Sequence, residues 1–433
     1  MLLPIGQIVQ LEKSQRQAEV KALLGGGGEG EVYLVRAGRE DLALKWYFEN
    51  QATPNRRTRL EFLVEKGAPT SDFLWMQEIA TSPSTPGFGY VMPLRGRQFQ
   101  GFNRLLSGDM DPTFRSLAMA GYHLASSFYA LHTEGLSYHD ISHNNIFLDP
   151  FTGKIQVCDN DNVGIDGDSD VDILGTPKYM APEIVRGEAL PTTQTDLHSL
   201  AVLLFMMLVM SHPFDGMKEA GIRCMDPPAM KKVYGMEPVF VFHPTDRSNR
   251  PHPQYHQNAL EYWPLYPAFL WDLFTRAFTD GLVDPKNGRV REYEWRKAML
   301  RLRDSIVSCP RCRKENFYCS EAVKQHAGAL GKCWGCGEVV PCPPRLRIGG
   351  NVVMLGPDTQ IVPHHFKQDF GLDTPVAEVV KGMRSLSLKN CGNDTWEVIR
   401  ADSQSTRVAS GEAVRLNGPC KIKFGAVEGE IRV

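Results

Sequence analysis

The strongest constraint on this chain is an ordered set of polar residues that lie between short strand patterns. Asp140 and Asn145 stand five positions apart in the segment YHDISHNN, which precedes the apolar pattern IFL. A second strand pattern, IQVC, ends at Asp159. A lone aspartate of this kind would be taken for a turn residue. Two hard oxygen ligands on adjacent loops can instead hold a divalent cation, so the spacing predicts a metal site between these loops.

A glycine-rich segment near the start of the chain predicts a phosphate-binding loop. Residues 24–32, LGGGGEGEV, fit the pattern GxGxxGxV between two strands, where missing side chains let backbone N–H groups approach phosphate oxygens. By itself such a segment is as well explained by a flexible hairpin. The following strand pattern, LALK, ends in Lys45, a cation placed to hold phosphates beneath the loop.

Together, these motifs resemble the protein kinase family over about the first 300 residues. The resemblance implies that Asp140 accepts or orients the substrate hydroxyl proton, and that Asn145 and Asp159 bind Mg2+. It implies ATP as the phosphate donor. The residues expected to contact ATP are Leu24, Gly25, Gly27, Gly30, Val32, Lys45 and Met92.

The same resemblance assigns positioning residues. Lys45 needs a carboxylate on the helix predicted near residues 58–66, and Glu61 is preferred over Glu65, although most helix glutamates are only solvated. Asp196, which opens an apolar helix, matches the aspartate that braces the catalytic loop; a plain N-cap is an equal alternative. Both assignments stay open at this point.

The segment GTPKYMAPE, residues 175–183, resembles the part of a kinase that seats a peptide substrate. Thr176 implies serine/threonine specificity. Glu183 is expected to pair with a buried arginine, for which Arg289 has the expected place. This segment disfavours phosphorylation of a small molecule.

Several positions depart from the family pattern. His139 stands where many kinases carry arginine, and Ser142 replaces the lysine that touches the transferring phosphate. Loss of such a preorganised cation commonly costs about 10²–10³ in rate. Asn160 and Asp161 replace the phenylalanine and glycine that follow the metal-binding aspartate. A pseudokinase or scaffold that binds nucleotide without efficient transfer is therefore the alternative to an active serine/threonine kinase.

Four cysteines predict a structural zinc site. Cys309, Cys312, Cys333 and Cys336 form CxxC-x20-CxxC, the spacing of two zinc knuckles that share one tetrahedral ion. Cys319 and Cys342 are competing ligands without a CxxC partner. Nearby Lys and Arg residues permit nucleic acid binding, but few aromatic residues accompany them, so this is not the preferred interpretation.

The predicted fold is multidomain: an α+β bilobal protein-kinase fold, then a small zinc ribbon and an all-β sandwich. The predicted domains are a kinase domain over 1–305 (N-lobe 1–95, C-lobe 96–305), a zinc ribbon over 306–342 and a β-sandwich over 343–433. The sandwich resembles forkhead-associated domains in its strand rhythm, but their phosphate-binding residues cannot be placed on it. The whole arrangement resembles bacterial kinases of tellurite-resistance systems, which implies a von Willebrand A protein and a metal-dependent phosphatase as partners.

Composition and charge argue against several other classes of protein: nucleic-acid-binding, membrane-spanning and exported proteins. The 433-residue chain carries 48 basic and 50 acidic residues, so no global field attracts nucleic acid or an anionic membrane. The longest apolar stretch, LAVLLFMMLVM, has about half the length of a membrane span. The first residues lack the features of an export signal. We expect a cytoplasmic protein whose modules dock on protein partners.

Overall fold

The structure is a computed structural model that describes residues 2–168, 173–357, 359–367, 370–382, 385–401 and 404–433. The chain forms two compact units. The first comprises Met1–Pro112, Met119–Trp263 and Asp272–Arg296, and the second comprises Thr113–Ala118, Pro264–Trp271 and Lys297–Val433. The domain boundaries predicted after residues 305 and 342 stay predictions.

The first unit begins with a six-stranded closed barrel that carries one helix. The strands are β1 Ile8–Leu11, β2 Gln17–Gly26, β3 Gly30–Ala37, β4 Glu40–Tyr47, β5 Glu78–Thr81 and β6 Gly89–Pro93, and the helix is α1 Pro54–Lys66. Around the barrel the antiparallel order is β1-β2-β3-β4-β6-β5. Alternate residues such as Tyr33, Val35 and Leu44 point inward and are fully buried. The predicted small sheet with one helix is thus confirmed.

The next part of the chain is mainly helical, as predicted. Its elements are β7 Gln100–Gly101, α2 Asn103–Leu106, α3 Phe114–Thr133, β8 Leu136–Ser137, β9 Ile146–Leu148, β10 Ile155–Val157, β11 Gly164–Ile165, α4 Pro182–Arg186, α5 Thr193–Val209, α6 Met217–Ala220, α7 Pro227–Met230, α8 Gln257–Tyr262, α9 Ala268–Ala277, α10 Asp280–Val283 and α11 Glu292–Asp304. Strands β10, β9 and β7 form one small sheet, and β11 pairs with β8. These short pairings fix the loops that carry Asp140 and Asp159.

Helix ends follow from local sequence. Thr53 caps α1 by accepting a hydrogen bond from the Arg56 amide, and the helix stops at Gly67, whose φ is 82°. Helix α5 begins with a capping box formed by Thr192 and Thr195. Its apolar stretch is buried, which makes it a core helix. Among the described residues, none of the helices combines the length and apolar character that crossing a bilayer requires.

The second unit is mainly β beyond α11. Its further elements are β12 Ile306–Ser308, β13 Glu315–Phe317, α12 Ser320–Gln325, β14 Ala329–Lys332, β15 Val339–Pro341, β16 Arg345–Ile348, β17 Asn351–Met354, β18 Gln360–Ile361, β19 Ala377–Lys381, β20 Leu386–Asn390, β21 Trp396–Arg400, β22 Ser405–Val408, β23 Ala413–Arg415, β24 Cys420–Phe424 and β25 Val427–Arg432. Two hairpins, β12-β13 and β14-β15, carry the CxxC motifs. The predicted all-β character of the C-terminal region is confirmed.

Two sheets share the core that follows these hairpins. One has the order β17-β16-β25-β24-β21-β22 and the other β18-β19-β20-β23. Trp396, Ile422 and Ile431 from the first sheet pack with Val379 and Leu388 from the second, and each side chain is nearly fully buried. A shared apolar core between two sheets is the arrangement of a β-sandwich.

Candidate functional site

A cavity of about 500 Å³ in the first unit brings together the residues predicted to contact ATP. All seven line it: Leu24, Gly25, Gly27, Gly30, Val32, Lys45 and Met92. Asp159 lies on the same wall as Lys45, and Ala43, Leu74 and Phe147 add apolar surface. A volume of this size, with apolar walls and a few polar groups, suits a small-molecule ligand.

The glycines of the loop differ in whether the surrounding structure leaves room for a side chain. A Cβ on Gly30 would lie 2.2 Å from the backbone oxygen of Trp46, so the close pairing of β3 with β4 excludes any side chain there. By contrast, a Cβ on Gly25, Gly27 or Gly28 would meet nothing within 4 Å. Packing does not require glycine at these three positions, which suits a loop that a ligand approaches closely.

Lys45 pairs with the carboxylate of Asp161, which lies two residues after Asp159. Its Nζ lies 2.7 Å and 3.0 Å from the two oxygens of Asp161. The hydroxyl of Tyr47 donates to Asp161 at 2.6 Å, and that of Tyr90 donates at 3.0 Å. Lys45 and Asp161 are both buried. Since every oxygen of the carboxylate has a donor, the buried pair meets the condition under which its desolvation is offset.

The electrostatics of this cluster follow from burial and pairing. Burial alone would raise the pKa of Asp161, but the Lys45 charge and the three donors outweigh it and lower that pKa to about 2. Burial would lower the pKa of Lys45, and Asp161, Asp159 and Glu29 together raise it instead. Burial raises the pKa of Asp159, with a further increase from the charge of Asp161. Asp161 is therefore the firmly ionised member.

The predicted pair of Lys45 with a carboxylate on α1 does not occur among the described residues. Glu61 has a side chain that is 52% exposed, and it pairs with Arg57 one turn earlier at 2.9 Å. Glu65 is exposed as well. The assignment of Glu61 as the lysine partner is therefore corrected. The physical reason is that Glu61 faces solvent and pairs with Arg57, whereas the Asp161 carboxylate lies within hydrogen-bond distance of Lys45.

Two further charged residues were not predicted. Glu29, in the glycine-rich loop, places one oxygen 3.2 Å from Lys45 Nζ and the other 2.8 Å from Arg56. Arg56 is buried at the first turn of α1 and stacks on the Tyr47 ring, with its guanidinium carbon 4.9 Å from the ring centroid. A second buried cation thus lies beside the glycine-rich loop.

The side chains of Asp140, Asn145 and Thr176 lie together. Asn145 Nδ2 donates to Asp140 Oδ2 and to the Asp140 backbone oxygen, both at 2.9 Å. Thr176 Oγ1 donates to Asp140 Oδ1 at 2.6 Å. The segment around Thr176 is therefore joined directly to the carboxylate that the sequence singles out. Asn145 keeps its side-chain oxygen for another ligand.

Asp196 braces this loop from helix α5. Its Oδ2 accepts from the Tyr138 amide at 2.6 Å, and its Oδ1 accepts from the His139 amide at 3.2 Å. His139 needs that support because its φ of 69° is unusual for a residue with a side chain. Asp196 also contacts His132 Nε2 at 3.1 Å. The geometry agrees with the bracing role; Thr192, and not Asp196, is the N-cap of α5.

Two residues of this loop that depart from the family pattern, His139 and Ser142, have buried side chains. His139 is buried and its Nε2 lies 2.8 Å from Ser137 Oγ, and burial lowers its pKa. Ser142 is completely buried, and its hydroxyl has no hydrogen-bond partner among the described residues.

The predicted pair of Glu183 with Arg289 is present. Arg289 Nη2 lies 2.7 Å and 2.9 Å from the two carboxylate oxygens, and Nη1 donates to the Gln194 backbone oxygen at 2.7 Å. The Arg289 side chain is 2% exposed and that of Glu183 is 15% exposed. This buried pair ties α4 to the segment that precedes α11.

The four cysteines of the second unit converge. The Sγ atoms of Cys309, Cys312, Cys333 and Cys336 all lie within 4.8 Å of one another. Two of the separations, Cys309 to Cys336 and Cys312 to Cys333, are 3.6 Å. Four thiolates at the corners of a tetrahedron with bonds of about 2.3 Å would have nearly this spacing, so the set fits a zinc ion. Neither Cys319 nor Cys342 belongs to the cluster.

The strand positions of Tyr47 and Tyr90, which donate to Asp161, are a signal that the sequence contains. Tyr47 lies two residues after Lys45 on β4 and so shares its face of the sheet. Tyr90 is the cross-strand neighbour of Lys45 on β6. Asp161 itself carried no such signal, because only the loop conformation decides where its carboxylate points.

Comparison with known proteins decides the family. The model of the protein kinase domain matches residues 18–260. The chain belongs to the protein kinase family. The match covers more than half of the chain, and it includes the glycine-rich loop, Lys45, Asp140, Asn145 and Asp159.

Individual kinases are similar at low identity. The serine/threonine-protein kinase mos of Patiria pectinifera is 26% identical over 210 residues, which cover 46% of this chain and 58% of that protein. Ribosomal protein S6 kinase alpha-2 of Homo sapiens is 30% identical over 216 residues, 46% of this chain and 28% of that protein. Glycogen synthase kinase 1 of Pyricularia oryzae is 25% identical over 186 residues, which cover 38% of this chain and 46% of that protein. This chain spans less than two thirds of the length of each relative.

Proposed function

We propose that this protein is a serine/threonine protein kinase that transfers the γ-phosphate of ATP to protein hydroxyls. The observation that carries the proposal is the placement of Asp140, whose carboxylate accepts hydrogen bonds from Asn145 and Thr176. A carboxylate fixed in this way can accept the proton of an attacking hydroxyl. The similarity to the serine/threonine-protein kinase mos and to ribosomal protein S6 kinase alpha-2 agrees with this substrate class.

The site residues divide the work of transfer. Lys45 would hold ATP phosphates beneath the glycine loop, where the Gly25, Gly27 and Gly28 backbone is open to an approaching anion. Thr176 keeps Asp140 oriented at the end of the substrate-binding segment. Positioning and charge stabilisation are the main demands of phosphoryl transfer.

The residues present fit a magnesium ion. Asp159 has a side chain that is 43% exposed, with Lys45 as its ion-pair partner at 3.6 Å, and Asn145 keeps its side-chain oxygen for another ligand. Both offer the hard oxygen atoms that Mg2+ prefers. When held by Asn145 and Asp159, the ion would offset the negative charge that develops in transfer. Asp161 does not fit this role because Lys45, Tyr47 and Tyr90 occupy its oxygens.

The proposal is tested by phosphoryl transfer from labelled ATP. The intact protein is incubated with labelled ATP, Mg2+ and a generic protein substrate beside an Asp140→Ala variant. We expect label on protein only with the parent, and thermal stabilisation by ATP with both. Equal labelling by the variant, or stabilisation by ATP without transfer, would overturn the enzyme proposal.

The second candidate is a pseudokinase. Two observations favour it: Asp161 neutralises Lys45, and the Ser142 hydroxyl is buried where a phosphate-contacting lysine is expected. ATP binding without transfer is its expected result in the same assay. The retention of Lys45, Asp140, Asn145 and Asp159 favours the active kinase.

We also propose functions for the second unit. The four cysteines hold a structural Zn2+, and the forkhead-associated-like sandwich docks protein partners. By resemblance to the kinases of tellurite-resistance systems, a von Willebrand A protein and a metal-dependent phosphatase are the proposed partners, in the cytoplasm. Co-purification of tagged protein with these two partners, and its loss on deleting residues 343–433, would test the assignment.

A further inference from the structure

The second unit contains a cavity of about 590 Å³ that is lined by basic side chains. Its described lining includes five cations against two carboxylates. The cations are Arg301, Arg345, Arg347, Arg432 and Lys324, and the carboxylates are Glu321 and Glu430. The excess of positive charge in a concave site predicts an anionic ligand.

The strand pairing places the arginines on one wall. Arg345 and Arg347 alternate with buried Leu346 and Ile348 on β16, so both point away from the sandwich core. On β25 their directly opposed residues are Arg432 and Glu430. The outer face of this sheet therefore presents three guanidinium groups, those of Arg345, Arg347 and Arg432, on the neighbouring strands β16 and β25.

In the described residues, no ion pair is formed by Arg301, Arg345 or Arg347, although Arg347 lies opposite Glu430, which is paired with Arg432. Several lysines of the sandwich do have such a partner. Lys389, Lys421 and Lys423 each pair with a glutamate at 2.8–3.1 Å. Among the described residues, Arg345 instead contacts the Cys342 thiol at 3.6 Å, and Arg347 donates to the Gly349 backbone oxygen. The guanidinium of Arg301 lies over a ring, and burial lowers its pKa without an offsetting carboxylate.

Aromatic contacts hold two of the arginines in place. The guanidinium carbon of Arg301 lies 4.0 Å from the centroid of the Phe269 ring, and that of Arg345 lies 5.8 Å from the centroid of Tyr318. Stacking on a ring leaves the edge N–H groups of arginine free to donate. Preorganised donors of this kind reduce the entropy that binding costs.

The carboxylates of the cavity are already engaged. Glu430 forms a two-point pair with Arg432 at 2.9 Å and 3.1 Å. Glu321 accepts from Ser320 Oγ at 2.9 Å and from Cys319 Sγ at 3.2 Å. Neither neutralises Arg301 or Arg345 in the described residues.

We propose that this cavity binds a phosphate monoester, with Arg301, Arg345 and Arg347 donating to the phosphoryl oxygens. A dianion with three terminal oxygens matches several guanidinium groups better than a single carboxylate does. The cavity is several times larger than a phosphate ion, so the ligand carries a further group. A phosphorylated protein side chain and a nucleotide share this chemistry. The site belongs to the second unit and does not depend on the proposed kinase activity.

The test uses the intact protein and fluorescence anisotropy. The probe is a short labelled peptide with a central phosphothreonine and neutral flanking residues, and its unphosphorylated twin is the ligand control. We expect saturable, salt-sensitive binding of the phosphorylated probe alone. The double variant Arg345→Ala/Arg347→Ala should weaken it at least about tenfold. Arg407→Ala, which removes an exposed arginine of the same sheet outside the cavity, should change it less than about twofold.

Competing ligands separate the two sources. ADP and inorganic phosphate are added as competitors, and an Asp140→Ala background separates this site from turnover. Displacement of the peptide by ADP assigns the site to nucleotides, and resistance to ADP assigns it to phosphorylated side chains. Arg345→Lys keeps charge and should retain part of the affinity, which shows that the fold is intact. Equal binding by the double variant, equal binding of the unphosphorylated twin, or no saturable binding below about 1 mM of any probe would overturn the proposal.

Discussion

At the residue scale, the central feature is a lysine whose partner comes from an unusual position. Asp161 replaces the small residue expected after the metal-binding aspartate, and its carboxylate is bound by Lys45, Tyr47 and Tyr90. Since α1 supplies no carboxylate to this lysine in the described residues, orientation of Lys45 does not require a movement of that helix.

This arrangement predicts different effects for two carboxylates. Asp161→Asn should lower kcat/KM for ATP by about 10²-fold, because a buried charged partner of Lys45 is lost. Glu61→Gln should change kcat/KM less than about threefold, because Glu61 is largely exposed and pairs only with Arg57 in the described residues. Steady-state kinetics with both variants, and nucleotide affinity from thermal shifts, check the prediction. A larger loss with Glu61→Gln than with Asp161→Asn would contradict it.

At the element scale, buried charges join the helices of the first unit. His132 on α3 lies between Asp196 on α5 and Glu292 at the start of α11, and it contacts both carboxylates. All three side chains are at most 10% exposed. The hydrogen bonds to the two carboxylates outweigh burial and raise the pKa of His132 to about 9. The imidazolium is thus the form that this helix junction holds.

The raised pKa makes stability depend on pH. An unfolded histidine has a pKa of about 6.5, so the stabilisation is present below that pH and is lost as pH rises through about 9. The loss should be on the order of 3 kcal/mol in the free energy of unfolding. Urea unfolding at pH 6 and pH 9.5 measures it. His132→Gln should abolish most of the difference, whereas His326→Gln, an exposed site of the second unit, should keep it; a pH-independent parent would refute the assignment.

The pair between Glu183 and Arg289 gives a second prediction at this scale. Glu183→Ala should destabilise the protein by roughly 3–5 kcal/mol, because it leaves a buried arginine without its counter-charge. Adding Arg289→Met should restore part of that loss. Glu188→Ala, which breaks the exposed pair with Arg186, should cost less than about 1 kcal/mol. Denaturant midpoints of the four proteins decide, and equal costs for Glu183 and Glu188 would contradict the prediction.

At the scale of the whole molecule, the chain holds two units with different means of stabilisation. The first has large apolar cores in its barrel and around α5. The hairpins β12-β13 and β14-β15 bury only a small apolar cluster, formed by Val307, Val340 and Met354 with two of the cysteines. A segment with so few core residues needs a further constraint to fold.

A bound metal is the expected constraint. The purified protein should contain about one zinc ion per chain, and Cys333→Ser should remove it and expose residues 306–342 to proteolysis. Cys391→Ser, an exposed thiol outside the cluster, should keep the metal. Elemental analysis and limited proteolysis check both variants. Full metal content in Cys333→Ser would show that the four thiols do not form the site.

The sequence by itself determined which residues line the cavity of the first unit, because the signals that single them out are local. A loop without side chains, a lysine at a strand end and the spacing of Asp140, Asn145 and Asp159 each depend on a few neighbouring residues. For the same reason, alternation along strands predicted a small N-terminal sheet and a C-terminal sandwich, and the CxxC spacing predicted which four thiols meet; that the small sheet closes into a barrel was not predicted. The convergence of the four thiols is seen in the cysteine cluster.

The tertiary structure alone decided which charges meet across the cavity. Glu61 and Asp161 were both carboxylates close to the expected places, and no local rule ranks them. Their contacts differ because Glu61 faces solvent on α1, whereas Asp161 lies next to Lys45. The backbone at Asp159, with a φ of 50°, sets the course of the loop that carries Asp161. The arginine-lined cavity also depends on residues far apart in sequence. Pairing of this kind is set by packing, which a linear pattern does not contain.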